Sequence, residues 1–137
     1  MTQTDMESIG EQVLNDYIDT FNAGSAMEWA QKLHYPHVRL AGGNVQIWNS
    51  PQEYAADNDK DVMRRKCDWG RTILDHCALV QGDEDKLHFA TRWSRYTANG
   101  EHIISFDSLY IITKIDGSWG IQCRSSYAGI FDRNTAF

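Results

Sequence analysis

The sequence predicts an α+β fold in which a long four-stranded antiparallel meander and a short hairpin pack on three helices from the N-terminal half. Three observations carry this prediction. Met6, Ile9, Val13, Tyr17 and Phe21 recur at helical spacing near the start of the chain. From residue 69 onward the pattern changes to long β-branched and aromatic runs. Two of the breaks between those runs hold Asn99-Gly100 and Asp116-Gly117, the strongest short hairpin signals.

Each predicted helix opens with a Ser or Thr followed three residues later by Glu, a pairing that satisfies amide donors at both ends of the box. These pairs are Thr4 with Glu7, Ser25 with Glu28, and Ser50 with Glu53. The first helix carries Leu14 and Ile18 beside its apolar stripe and ends near Gly24. The second is short, with Trp29, Ala30 and Leu33 on one side, and Pro36 limits any extension beyond His34. Pro51 opens the third, where its missing N–H is harmless, and Asp57, Asn58 and Asp59 weaken its middle. Between the second and third, "HVRLAGGNVQIW" reads as two short strands around Gly42 and Gly43. The long strands span roughly 69–80, 86–98, 101–115 and 118–127, separated by "QGDE", "ANGE" and "IDGS".

A chain of 137 residues fits one domain, residues 1–137. With 42 % hydrophobic and 23 % charged residues it has a globular composition, and its net charge of -6 argues against a nucleic-acid partner. The basic run Arg64, Arg65 and Lys66 falls at a helix end, where it complements the dipole. "MTQTDMESIG" lacks the basic and apolar regions of a leader, and no run approaches spanning length, so a cytoplasmic protein with no membrane partner is expected. Cys67, Cys77 and Cys123 lack metal-site spacing and read as free thiols. His34 and His37 flank Pro36, which denies them the geometry of a helical chelate, and no phosphate loop or nucleophile elbow occurs. No metal and no cofactor are expected.

Two-residue turns fix register, and register fixes faces. About Asn99-Gly100, Arg95 opposes Ile104, Trp93 opposes Phe106, and Arg92 opposes Asp107. About Asp116-Gly117, Ile112 opposes Ile121, Tyr110 opposes Cys123, Ser108 opposes Ser125, and Phe106 opposes Tyr127. The inner face then carries a row of small hydroxyls, Thr91, Ser108 and Ser125, between Phe89, Tyr110 and Cys123 on one side and Trp93, Phe106 and Tyr127 on the other. Small polar groups between large rings make a ligand pocket, unless the hydroxyls bond locally and helical side chains fill the space. Arg95 lies on this face, where it holds an acidic ligand, pairs with an internal carboxylate, or reaches water at the open end. A two-residue turn in "QGDE" turns Thr72, Leu74, His76 and Ala78 inward, which makes His76 either a core histidine or a proton-transfer group.

The element order and the ending "DGSWGIQCRSSYA" resemble the nuclear transport factor 2-like superfamily over residues 5–128. That superfamily also includes ketosteroid isomerase, polyketide cyclases and scytalone dehydratase. The resemblance implies a cone-shaped curved sheet, a pocket between sheet and helices, and frequently a dimer. It places Tyr17 near an oxyanion-donor tyrosine, but "VRLAGG" stands where the isomerases carry an acid, and the last three strands turn no Asp or Glu inward. A dehydratase-like arrangement fits better.

Two functional expectations follow. The first is a protein that binds a small hydrophobic molecule, with cofactor-independent isomerase, dehydratase or cyclase chemistry on a carbonyl or hydroxyl compound open to it. His76 would move protons, Tyr17 and Tyr127 would donate hydrogen bonds, and Trp93 and Phe106 would form apolar walls. Thr91, Arg95, Ser108, Tyr110 and Ser125 would complete the ligand surface. The second is a non-catalytic dimerisation or protein-interaction module. In either case the outer face mixes Ala90, Tyr96, Ile103, Leu109 and Ile111 with few charges, and the tail "GIFDRNTAF" is too short to cover it. A homodimer through that face is expected, with Asp107 held between Arg92 and Arg124.

Overall fold

The computed structural model describes residues 1–127; the tail judged too short to cover the sheet lies outside the described residues. Its elements in order are α1 (Gln3–Ala23), α2 (Ala26–Ala30), β1 (Leu33–Ala41), β2 (Asn44–Trp48), α3 (Pro51–Asp57), α4 (Asp61–Cys67), β3 (Trp69–Gly82), β4 (Lys86–Thr97), β5 (His102–Ile115) and β6 (Ser118–Ser126). No helix among the described residues is long and apolar enough to cross a membrane.

The helix caps follow the expected chemistry with two shifts. The first box sits two residues early: Thr2 Oγ1 accepts from the Asp5 amide at 3.0 Å, and the Asp5 carboxylate accepts from the Thr2 amide at 3.0 Å. Ser25 and Glu28 form the second box as predicted. Ser50 caps α3, but Glu53 reaches back to the Asn49 amide at 2.8 Å instead of to the cap. The predicted third helix is two, because the Asn58 side chain donates to the Tyr54 carbonyl at 2.9 Å and competes with the helical ladder. Leu33, expected on the second helix, opens β1 instead.

α1 has no basic residue in its last turn. Lys60, from the break between α3 and α4, supplies that cation: its Nζ donates to the carbonyls of Thr20, Phe21 and Gly24 at 3.2, 2.8 and 2.6 Å. The helix lies across the sheet with Leu14, Tyr17, Ile18 and Phe21 buried against Trp29, Trp69, Phe89 and Trp93. Gly10 permits that close approach, since a Cβ there would come within 2.0 Å of the Phe89 ring.

The six strands run in the order β2-β1-β6-β5-β4-β3. All neighbours are antiparallel except β1 and β6, which pair in parallel with Arg39 beside Arg124. The Asp116-Gly117 tip has the predicted two-residue form, with φ of 51° and 81°, the left-handed values such a turn requires, whereas the Asn99-Gly100 hairpin closes one residue earlier, with the Thr97 amide bonded to the Glu101 carbonyl at 2.8 Å. From the Asn99-Gly100 tip the ladder matches prediction at Arg95 with Ile104, Trp93 with Phe106 and Arg92 with Asp107.

Bulges overturn the prediction elsewhere. β6 pairs as expected up to Ile121 with Ile112, but Ile111 then faces Cys123, so Gln122 is an extra residue. In β3, register shifts at Val80 and again at Asp75. One extra residue reverses every side chain beyond it until the next.

Candidate functional site

The Gln122 bulge turns Arg124 and Ser126 inward and Cys123 and Ser125 outward, the reverse of the predicted faces. Tyr110 therefore pairs with Arg124, and Ser108 with Ser126. Tyr127 is 76 % exposed and contributes nothing to the interior. Arg124, expected at the outer dimer face, is 4 % exposed beneath α1. His76 is corrected for a similar reason. The tip after β3 has the assumed two-residue form, with the Asp83 amide bonded to the Lys86 carbonyl at 2.9 Å. The Val80 bulge nevertheless flips the next stretch, so His76 pairs with Arg92 on the outer face and Ala78 with Ala90, until Asp75 restores Leu74 and Thr72 to the interior.

Tyr17, Ile18, Phe21, Thr72, Trp93, Arg95, Phe106, Tyr110 and Arg124 line a small internal cavity. Its volume is about 10 Å³, room for about one water. Of the sequence-predicted residues, Tyr17, Trp93, Arg95, Phe106 and Tyr110 meet there. Thr91 and Ser108 face inward, but their hydroxyls are used locally. Thr91 Oγ1 accepts from Trp93 Nε1 at 2.8 Å and donates to the Ser108 carbonyl at 3.1 Å, while Ser108 and Ser126 share a bond of 2.7 Å. The hydroxyl row thus holds three strands together, with Ser126 where Ser125 was expected.

The electrostatic centre of the cavity is the contact from Arg124 Nη1 to the Tyr17 hydroxyl, at 3.1 Å. Tyr110 lies edge-on to Tyr17 with centroids 5.7 Å apart, and Trp93 lies edge-on at 6.2 Å. Burial is the largest single influence and raises the Tyr17 pKa, but the Arg124 charge together with hydrogen bonding to Tyr110, Trp29 and Arg124 outweighs it and holds the phenol below the ordinary tyrosine range. Tyr110, dominated by burial, is pushed well above that range. Burial also acts to lower the Arg124 pKa, and the phenols of Tyr17, Tyr110 and Tyr54 more than offset it. Arg95 is pushed down to about 10 by burial and then by Arg124. Among the described residues, no Asp or Glu lines the cavity.

The surrounding polar groups buttress the site. Arg39 donates to Gln46 Oε1 at 3.1 and 2.8 Å and to Asn58 Oδ1 at 3.0 Å, and its guanidinium carbon lies 4.6 Å from the centre of the Trp48 ring. His37 Nδ1 bonds the Ile121 carbonyl at 3.2 Å, and burial followed by the Arg124 charge pushes its pKa down to about 3. A neutral His37 is therefore a fixed donor and a poor base.

The predicted residues that miss the interior gather on the other side of the sheet. His76, Ser125 and Tyr127 join Ala90, Arg92, Asp107 and Leu109 around an open groove of about 480 Å³. Arg92 donates to Asp107 at 2.9 Å, as the hairpin register predicted. Nearby, Ser94 bonds both Asp75 and, at 2.7 Å, Ser105, whose hydroxyl also meets His102 Nε2 at 2.7 Å. An ionised Asp75 can only accept, so donation runs from His102 through both serines toward it. That direction leaves Ser105 unactivated as a nucleophile. Among the described residues, no group of His, Cys, Asp and Glu is placed to hold a metal.

A curved sheet covered by N-terminal helices over an aromatic, arginine-containing interior defines a cone-fold protein. The chain belongs to the family described as NTF2-like protein (DUF6841), whose model matches residues 7–126. No curated protein matches the sequence. Among solved structures, a cystatin-like-fold protein of unknown function from Nostoc punctiforme is 11 % identical with a TM-score of 0.72, and 92 % of each chain is covered. An NTF2-like protein from Novosphingobium aromaticivorans is 8 % identical with a TM-score of 0.72, covering 90 % of this chain and 81 % of that one. A protein from Catenulispora acidiphila, solved in complex with S-DNPA, is 11 % identical with a TM-score of 0.67, covering 90 % of this chain and 95 % of that one. At these identities the likeness shows the fold.

Proposed function

We propose that the chain binds a small hydrophobic molecule bearing a carbonyl or hydroxyl group between α1 and the sheet, and that Tyr17 serves cofactor-independent proton transfer of the isomerase, dehydratase or cyclase type. The observation that carries this reading is the buried Arg124–Tyr17 contact inside an aromatic wall. A substrate oxygen placed in the cavity receives a hydrogen bond from the Tyr17 hydroxyl, and Arg124 stabilises the phenolate left when the proton moves. Among the described residues no lining carboxylate competes as base, and Tyr17 is the lining phenol whose surroundings favour its charged form. The solved S-DNPA complex of the Catenulispora acidiphila protein supports ligand binding as a use of this fold. Native mass spectrometry of the purified protein tests the reading. A retained small molecule, lost from folded Tyr17→Trp protein, supports it, and a retained molecule unaffected by that substitution counts against it.

A second reading is favoured by the outer face. Val45, Leu40, Ser125, Leu109, Ala90 and Ala78 form one continuous row across all six strands. Val45 and Ile47 are 61 % and 58 % exposed. Covering such a face with a second copy, burying about 800 Å² per subunit, gives a homodimer or an interaction module. Asp107 would enter it paired with Arg92 alone of the two arginines first expected there, since Arg124 faces inward. Light scattering at micromolar concentration tests this, and a clean monomer mass would end it.

A further inference from the structure

The internal cavity has room for about one water, so a compound with even a single ring enters only if a lining side chain gives way. We infer that Phe106 is that side chain, a displaceable plug whose ring stands where the ring of a monocyclic aromatic ligand binds beside Tyr17. The inference rests on the small-molecule reading above and sets the size of the compound which that reading describes.

Burial singles out Phe106. Every other residue of the lining is at most 7 % exposed, whereas Phe106 is half-buried. The other rings are also fixed by their contacts. Trp93 Nε1 is bonded to Thr91 Oγ1, and Tyr110 lies edge-on to Tyr17. Phe21 is wedged between Trp29 and Trp69, with ring centroids 4.9 and 5.0 Å away, on a helix that Asn22 ties to the Thr72 backbone by two bonds of 2.8 Å. Phe106 has Trp93 on one strand flank, and among the described residues the ladder between β5 and β6 stops at Ser108 with Ser126, short of Phe106 on the other. A ring already partly in water has the least apolar surface left to expose when it turns outward.

The contact that Phe106 gives up is one that a ligand ring restores. The Arg95 guanidinium carbon lies 4.8 Å from the centre of the Phe106 ring and 5.8 Å from that of Phe21, so Arg95 packs on two aromatic faces. A ligand ring in the place of Phe106 keeps that packing, whatever else Arg95 bonds. The exposure of the Phe106 ring is offset by burial of a ring of the same size. A fused second ring would have to displace Trp93 or Tyr110 as well, which limits the site to one ring carrying the carbonyl or hydroxyl group that reaches Tyr17.

Acetophenone, one ring with a carbonyl, and acetylnaphthalene, its fused two-ring counterpart, test the inference on the intact protein. In isothermal titration the wild type is expected to bind acetophenone at least about ten-fold more tightly, although the larger ketone has more apolar surface to bury. In nuclear Overhauser spectra of the wild type, cross-peaks between the Phe106 ring and the Arg95 side chain are expected to fade as acetophenone saturates the protein, while cross-peaks from the ligand ring to Arg95 replace them. Phe106→Ala, with the plug removed, is expected to bind acetophenone at least about ten-fold more tightly than the wild type, the gain when the open form is a minority of about 10 % or less. Acetophenone binding with the Phe106–Arg95 cross-peaks intact overturns the plug and leaves the small-molecule reading standing. Equal or tighter wild-type binding of acetylnaphthalene does the same. Binding to Phe106→Ala alone marks a cavity made by the substitution and also overturns the plug. Binding of neither ketone to either form overturns both readings. The cross-peaks are read on the wild type, so a misfolded variant does not rescue the inference.

Discussion

Arg124 donates to the Tyr17 hydroxyl at 3.1 Å, joining the last described strand to the first helix inside the core. The contact exists because Gln122 is an extra residue in β6: without a bulge somewhere in the predicted ladder, Arg124 would oppose Leu109 on the outside.

That contact should be visible in the alkaline titration of the tyrosines. Tyr17 has a lowered pKa and Tyr110 and Tyr54 raised ones, so ultraviolet difference spectra are expected to show an early phenol in the folded protein followed by others that ionise only on unfolding. In Arg124→Gln the early step should disappear. The linkage signs differ: a lowered Tyr17 pKa adds stability as pH rises through its folded value, whereas the raised pair removes stability once pH exceeds the unfolded value of about 10. Alkaline unfolding should therefore be dominated by Tyr54 and Tyr110. An early step that survives in Arg124→Gln would assign it to another residue.

His37 predicts the acid limb. Its folded pKa of about 3 lies below the unfolded 6.5, so unfolded chains bind a proton over that window and folded ones do not. Stability is then complete above about 6.5 and is lost as pH falls, by up to about 1.4 kcal/mol per unit. His37→Asn preserves a donor toward Ile121 while removing the titration. Urea unfolding should find that variant weaker at neutral pH, with a shallower decline in acid; an unchanged slope would exonerate His37.

Lys60 closes the C-terminus of α1 from outside the helix. Lys60→Met keeps much of the side-chain bulk and removes a charged donor from three carbonyls. We expect a loss of about 2 kcal/mol, read as a lower urea midpoint at unchanged slope. A change below about 0.5 kcal/mol would show that water replaces the ammonium.

Deleting Gln122 makes the sharpest test of the β6 bulge. A regular hairpin without it keeps Ile121 opposite Ile112 and Cys123 opposite Ile111, so Arg124 should still face inward and the early tyrosine titration should persist. The Gln122 bonds to Thr113, at 2.9 Å, and to Pro36, at 3.2 Å, are lost, at a cost of about 1–3 kcal/mol in total. With an alanine inserted after Gln122 and the bulge still holding one residue, Arg124 should instead turn outward and that titration should be abolished. The opposite pattern would contradict the proposed role of the bulge.

Much of the scaffold was legible because it depends on local chemistry. The Asn-Gly and Asp-Gly tips, the Ser25 and Ser50 caps and the stripe from Val13 to Phe21 declare themselves within a few residues. The ladder from Arg95 with Ile104 to Arg92 with Asp107 matched the expected register only because two irregularities cancel: Thr97 rather than Ala98 meets Glu101 at the tip, and Ile103 is an extra residue. Faces failed where one residue was added without a marker: neither Gln122 nor Val80 is a glycine, and Asp75 is an ordinary polar residue in a strand. The parallel pairing of Arg39 with Arg124 was equally hidden, since no local pattern links residues so distant in sequence. These hidden features decide the site. They exchange Ser125 and Tyr127 for Arg124 and Ser126 inside, and remove His76 to the opposite face.

The central claim is that the ligand lies inside, beside Tyr17, and not in the outer groove. Nitrogen–proton correlation spectra resolve arginine Nε–H and tryptophan indole signals alongside the backbone, so titration of labelled protein with acetophenone reads both faces in one experiment. The account predicts that the Arg95 and Arg124 Nε–H signals and the Trp93 indole shift together and saturate, while the amides of His76, Leu109 and Ser125 move little. Saturating shifts confined to His76, Leu109 and Ser125, with the two arginines and Trp93 unmoved, would contradict it and place the ligand in the outer groove.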